Sequence, residues 1–392
     1  MKYLAVMALF LSLQALAQDL PAATMARLRR LYPDQTEAFI KERLKNAPLA
    51  VNKWRSFPPY YYEMLDRSPE GKKLPGRIGL CAGDAHIENF GFIHGTPPLF
   101  TINDLDDVTP CDLNRDLMRL FIGHRLVNPT LKADAFLSHY QNGFKGFNCP
   151  APGFIQKLAA DSEKKGRGLS KKNKALLDTK SCSGEYAPLN TQEQKMLEDF
   201  NQAENGDKSC LSSSVLSDDM KKLALQITQS DPKQIIHACS RIKESGGSAG
   251  GKRFVIFRKS TTGVVDAFEL KPLMNPAPNY KAAPKPEVRV RIYEAAVKTY
   301  LGEAQTENYY PVALNRVLYQ RRPLWAGNEE VKEEDLNKAG ASEKEAVMLF
   351  ETCRLGALHA RTKPGPLSVS ASEWEKIAGT LEYQFRLEFG QK

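Results

Sequence analysis

Several catalytic signatures are missing from this 392-residue chain. It holds no C-x-x-C pair, which argues against a structural zinc knuckle and a thioredoxin-like redox pair. There is no G-x-S-x-G elbow of a serine hydrolase. The six histidines, His86, His94, His124, His139, His237 and His359, form no H-x-H or H-E-x-x-H pair, so a histidine-rich metal centre is disfavoured. After the N-terminal segment no apolar run is long enough to span a bilayer, and no internal repeat is found. The formal charge of +9 favours acidic partners. Lys and Arg are nevertheless dispersed among Asp and Glu rather than gathered in a stripe, so no nucleic-acid partner is expected.

What is present begins with Lys2, an apolar run from Tyr3 to Leu16, and Ala15-Leu16-Ala17. That pattern predicts a signal peptide over 1–17, cleaved after Ala17, and an exported protein, periplasmic or secreted, with no membrane anchor after cleavage. The hydrophobic content of 42% supports a sizeable core. All seven cysteines follow the leader, so disulfides are permitted and at least one thiol stays unpaired. Bridges among Cys149, Cys182, Cys210 and Cys239 would staple a polar segment, with connectivity left open.

Helical spacing is read over Met25 to Leu44 and Leu113 to Leu126, with aromatic packing residues from Trp54 to Leu65. Short apolar runs broken by Gly and Pro from Ile78 to Asp107 read as strands and loops. Further on, Gly246-Gly247-Ser248-Ala249-Gly250-Gly251 leads into Phe254 to Phe257, a Thr261-Thr262-Gly263 turn and Val264 to Lys271, a hairpin with a glycine-rich entrance. A helical face, Val290, Tyr293, Val297 and Leu301, follows; strands are expected around Val312 to Leu318 and helices from Ala346 to His359 and beyond Ser372.

The chemistry-bearing stretch is Gly83-Asp84-Ala85-His86-Ile87-Glu88-Asn89. Asp84 and Asn89 have the spacing of a kinase catalytic loop, in which the Asp takes the proton of the attacking hydroxyl and the Asn reaches a metal on the nucleotide phosphates. The run Leu99-Phe100-Thr101-Ile102 ends at Asn103-Asp104-Leu105-Asp106-Asp107, where Asp104 best suits a ligand for Mg²⁺ or Mn²⁺, with Asp106 and Asp107 as competitors. Gly246, Gly247, Ser248 and Gly250 would cover the phosphates of a nucleoside triphosphate; Lys271 would contact them, held by Glu294 on the next helix.

These residues resemble a bacterial family, domain of unknown function 2252, placed among the protein-kinase-like proteins with the aminoglycoside phosphotransferases. The resemblance rests on Cys81 to Gly91, Ile102 to Asp107 and Asp116-Leu117-Met118-Arg119-Leu120, and Asp116 is similar to a later structural Asp of that group. It implies an α+β, two-lobed kinase-like fold. Because the catalytic loop precedes the glycine-rich loop, and Leu355-Gly356-Ala357-Leu358-His359-Ala360 resembles the helix that ordinarily leads into that loop, a circular permutation is expected. The parts would be 18–145, catalytic loop and metal-binding part of the large lobe; 146–240, a helical insertion; 241–325, the small lobe; and 326–392, C-terminal helices of the large lobe. The resulting expectation is an exported Mg²⁺- and nucleotide-dependent phosphotransferase acting on a small-molecule or protein acceptor. A non-catalytic, pseudokinase-like binding module and, because of Gly-Asp-x-His, a metal-dependent phosphoesterase are the alternatives.

Overall fold

A computed structural model describes residues 21–183, 185–205, 233–243, 249–315, 317–362, 364–365 and 367–390. The leader expected over 1–17, Gly246, Gly247, Ser248 and Cys210 lie outside these. The fold is mixed α and β, in keeping with the α+β expectation. No helix among the described residues is long and apolar enough to cross a membrane.

Four helices open the described chain: α1 (Ala22–Leu31), α2 (Glu37–Lys45), α3 (Ala50–Ser56) and α4 (Pro58–Arg67). Pro58 starts α4 at a position where a missing N–H costs nothing. The aromatic stretch that follows is buried on every side, with Tyr60, Tyr61, Tyr62, Met64 and Leu65 all inaccessible. They join Trp54, Leu117, Phe121, Trp374 and Phe385 in the largest apolar cluster of the molecule. A fully buried Leu or Met there contributes about 1.5–3 kcal/mol.

Strands β1 (Ile78–Cys81) and β4 (Thr109–Asp112) pair with each other, while β2 (Phe90–Ile93) and β3 (Leu99–Ile102) form a hairpin between them. Helix α5 (Leu113–Val127) begins at Asp112, whose carboxylate accepts from the Asn114 amide at 3.0 Å. It ends at Asn128 before Pro129, which cannot continue a helix. Helix α6 (Ala133–Phe144) packs along α12 (Ala341–Ala360), and the last helix, α13 (Ala371–Glu388), lies across α5 and α6.

A six-stranded antiparallel sheet forms the other part, in the order β5 (Ala187–Pro188), β6 (Lys233–Ile242), β7 (Lys252–Ser260), β8 (Val265–Pro272), β10 (Val317–Pro323), β9 (Tyr310–Leu314). Strand β6 crosses the boundary expected at residue 240, so the sheet begins inside the stretch read as an insertion. Between them lie α7 (Gly153–Lys165), α8 (Lys171–Thr179) and α9 (Thr191–Glu204). Alternation along the strands gives the sheet two faces. Phe254, Ile256, Phe268 and Leu270 pack on Met196, Leu197 and Phe200 of α9. Val255, Phe257 and Ala267 pack on Leu176 of α8.

Three disulfides close the described chain, Cys81–Cys111, Cys149–Cys353 and Cys182–Cys239. Cys149 therefore ties α6 and α7 to α12 rather than to the polar segment.

Candidate functional site

Register in the β2–β3 hairpin builds the site. Phe90 stands opposite Ile102, so the residues just outside that pair, Asn89 and Asn103, meet, and the Asn103 amide donates to the Asn89 carbonyl at 2.9 Å. This sets Asp104 beside the end of the Asp84–Asn89 loop. The loop start is fixed by Asp116 of α5, fully buried, whose carboxylate accepts from the Ala82 amide at 2.8 Å and the Gly83 amide at 2.9 Å. His359 on α12 donates from Nε2 to the same carboxylate at 3.1 Å, and its Nδ1 accepts from the Tyr140 hydroxyl at 3.0 Å. Gly83 has φ +78, and a Cβ there would lie 2.0 Å from the Asp107 carbonyl oxygen, so only glycine lets the loop pass the acidic turn.

Asp84 accepts from Nε of Arg119 at 3.0 Å and from a second nitrogen of the same guanidinium, and His86 Nε2 is 3.5 Å from its other oxygen. Burial alone would raise the Asp84 pKa, but Arg119 and then His86 outweigh it and hold the carboxyl at about 2. Arg119 comes three residues after Asp116, one helical turn on the same face. The Asn89 side chain donates to the Asp84 carbonyl at 2.8 Å, which closes the loop on itself.

Lys271, next to the end of β8, is almost wholly buried and places its ammonium 2.6 Å from Asp104 and 2.7 Å from Asp106. Against the cost of burial, Lys271 and Arg322 keep Asp104 well below the usual carboxylate range. Asp106 is raised by burial and by Asp104, and Asp107 is raised well above the ordinary value by burial, Asp106 and Asp84. Lys271 thus bridges two of the three carboxylates of the turn.

Glu294 does not join them. Its helix, α10 (Pro286–Ala296), turns Arg289, Val290, Tyr293 and Ala296 inward. Glu294 follows Tyr293 by one residue, about 100° around the axis, and its electrostatic partner is Lys298. The helix grips the acidic turn through Arg289 instead, which donates to the carbonyls of Val108, at 2.6 Å, and Asp106.

Asp84, His86, Asn89, Asp104, Asp106 and Asp107 line one cavity of 160 Å³ together with Arg55, Lys243, Arg253 and Arg322. Apart from Arg55 on α3, the cationic wall comes from one sheet face. Arg241, with Lys243 just past the end of β6, Arg253, Glu269 and Lys271, and Gln320 and Arg322 occupy alternate or directly paired positions along β6, β7, β8 and β10. Glu269 binds Arg241 at 3.0 Å, Arg253 at 3.3 Å and Arg322 at 2.7 Å. The sequence reading missed this wall; the alternation Glu269-Leu270-Lys271 is the signal that would have pointed to it. Gly250, at φ +87, stands at the foot of the glycine-rich stretch, where its amide donates to the Lys243 carbonyl at 2.8 Å. A second cavity, 220 Å³, shares Asn103, Arg322 and Glu330 with the first and is lined by Phe92, Tyr309, Leu324 and Trp325.

Residues 61–134 match the model of a family described as an uncharacterized protein conserved in bacteria (DUF2252). The matched stretch holds the Asp84–Asn89 loop, the acidic turn, Asp116 and Arg119, and stops short of the sheet with Lys271. No curated protein and no solved structure matches the chain.

Proposed function

We propose that the cavity binds a divalent cation together with a phosphorylated ligand, and that the protein is a metal-dependent phosphotransferase on a circularly permuted, two-lobed kinase-like scaffold. The observation that carries this reading is one small cavity with clustered carboxylates on one wall and guanidinium and ammonium groups on the other. The permutation is supported by the path after α12. His359 bonds the Asp116 that holds the loop, and Arg77 Nε, just before β1, donates to the Gly365 carbonyl at 2.9 Å. The chain leaving α12 thus runs beside the strand that enters the loop, where an unpermuted chain would connect the two.

Asn89, Asp104, Asp106 and Asp107 offer only oxygen donors, which fit Mg²⁺ or Mn²⁺. When bound, the ion would neutralise phosphate charge. Lys271 holds Asp104 and Asp106 in place, and Arg289 fixes the backbone of their turn. Asp84 is ionised at neutral pH and faces the cavity, where it orients the acceptor hydroxyl and takes its proton late, once that hydroxyl has become acidic. A nucleoside triphosphate is the donor first to be tested, and the acceptor is a hydroxyl-bearing small molecule or protein.

The buried Arg119–Asp84 pair favours a second reading, a pseudokinase-like binding module, because a carboxylate held by a bidentate guanidinium is a weak base. A phosphoesterase has less support: among the described residues His86 is the one histidine lining the cavity. Thermal shift of the purified protein with nucleotides, with and without Mg²⁺ or Mn²⁺, tests binding; at 100 times the dissociation constant a ligand stabilises by about 2.7 kcal/mol. Metal-dependent stabilisation with transfer to an added acceptor supports the enzyme, stabilisation without transfer the module, and no stabilisation refutes both.

A further inference from the structure

Four cationic side chains line the acidic cavity, and three of them are already committed. Arg55 pairs with Glu88, while Arg253 and Arg322 pair with Glu269. Lys271, behind the cavity wall, is spent on Asp104 and Asp106. The fourth, Lys243, is half-buried, and its ammonium makes no hydrogen bond or ion pair among the described residues. A lysine left without a counter-ion in a partly buried cavity is costly unless something anionic arrives.

On the reading that this cavity takes a metal and a phosphorylated ligand, we infer that Lys243, not Lys271, is the lysine that binds the ligand's phosphate, and that Lys271 is a positioning residue for the acidic turn. The placement of Lys243 suits the task. It stands at the end of β6, where the glycine-rich stretch begins, and its carbonyl accepts the Gly250 amide. The two ends of that stretch are therefore clamped at the point where the ammonium enters the cavity. Around it stand Arg253 of β7, Lys271 of β8, Arg322 of β10 and Asp104 of the turn after β3, so positive charge predominates. Burial first, then Arg253 and Lys271, push its pKa down to about 8. A phosphate oxygen would satisfy Lys243 and relieve that repulsion, while a cation on Asp104, Asp106 and Asp107 neutralises the opposite wall. The ligand class is a di- or triphosphate group carrying a divalent cation.

The test uses the whole protein and two probes, Mn²⁺ alone and Mn²⁺ with inorganic pyrophosphate, measured by titration calorimetry on wild type, Lys243→Met and Lys243→Arg. Lost charge-assisted hydrogen bonds predict that Lys243→Met weakens pyrophosphate about 10- to 100-fold. Uptake of Mn²⁺ alone should stay unchanged, the melting temperature should not fall, since an unpaired charge is removed, and Lys243→Arg should retain most of the affinity. Trace labelling of amines at pH 8 should mark Lys243, with protection by Mn²⁺-pyrophosphate. Pyrophosphate affinity of Lys243→Met within twofold of wild type overturns the inference while leaving the metal-phosphate reading intact. Equal loss of Mn²⁺ alone in Lys243→Met also overturns it, since the residue would then be holding the metal site's shape. A wild-type protein that binds neither probe overturns the underlying reading as well.

Discussion

Cys81–Cys111 brackets the acidic side of the candidate site: Asp84, His86, Asn89, Asp104, Asp106 and Asp107 all lie inside the loop it closes. Replacing both cysteines by alanine removes the cross-link without leaving a thiol to mispair. With a sequence separation of 30, chain-entropy loss in the unfolded state gives about 3.6 kcal/mol at 25 °C. The folded side changes little, because the four-residue β1–β4 ladder and the Asp116 bonds to Ala82 and Gly83 do not depend on sulfur. That is a large share of the roughly 5–15 kcal/mol that holds a typical domain folded. Equilibrium unfolding in urea should show the midpoint falling by an amount equivalent to about 3–4 kcal/mol. Metal and phosphate affinity measured well below that midpoint should fall far less. A stability loss under about 1 kcal/mol would refute the view that this bridge restrains the unfolded loop, and a collapse of binding in the still-folded variant would mean that the bridge shapes the site itself.

Lys271→Met should destabilise by about 3 kcal/mol, since two carboxylates lose their buried partner, and Mn²⁺ should raise the melting temperature of this variant more than that of wild type. Asp84→Asn should leave nucleotide and metal binding in place while lowering any transfer by roughly 10² to 10⁴, whereas Asp104→Asn should weaken metal-dependent binding itself; both are read by calorimetry and turnover on the same preparations. Asp106 and Asp107 titrate above their unfolded values, so below about pH 4 their contribution is fully present, and it is lost as pH rises through the raised folded values. Melting curves in chelator should accordingly show this contribution falling as pH rises above the ordinary Asp range, with Mg²⁺ restoring it and Asp107→Asn flattening it. In the core, burial lowers His124 to about 3 and raises Glu351 well above its usual range, and the two meet through Nε2 of His124 at 3.0 Å. Glu351→Gln should therefore be nearly neutral in urea unfolding, while Glu351→Ala, which leaves a buried ring nitrogen unpaired, should cost about 1–3 kcal/mol.

The loop and the acidic turn were legible because each is contiguous: Gly83 to Asn89 and Asn103 to Asp107 carry their chemistry within a few residues, and the β2–β3 register then brings them together. Helices and strands with a clear period, such as the segments around Leu113 and Phe254, were legible for the same local reason. The cationic wall was not, because Lys243, Arg253, Glu269 and Arg322 come from four strands and become one surface only when the sheet's pairing is known. Glu294 was assigned to Lys271 by charge, and helix phase turned Arg289 and Tyr293 inward instead. Cysteine pairing depends on long-range packing, so the link from Cys149 to Cys353, 204 residues away, left no trace in local sequence.

The central claim is that the carboxylates of the acidic turn hold a cation that a phosphorylated ligand shares. The most direct measurement is uptake of Mn²⁺ by wild type and by Asp104→Asn, each with and without ATP, followed by the paramagnetic signal of free ion. The account predicts that ATP tightens Mn²⁺ uptake by wild type and that Asp104→Asn loses most of this coupling while remaining folded. Equal uptake by the two proteins, unaffected by ATP, would contradict it.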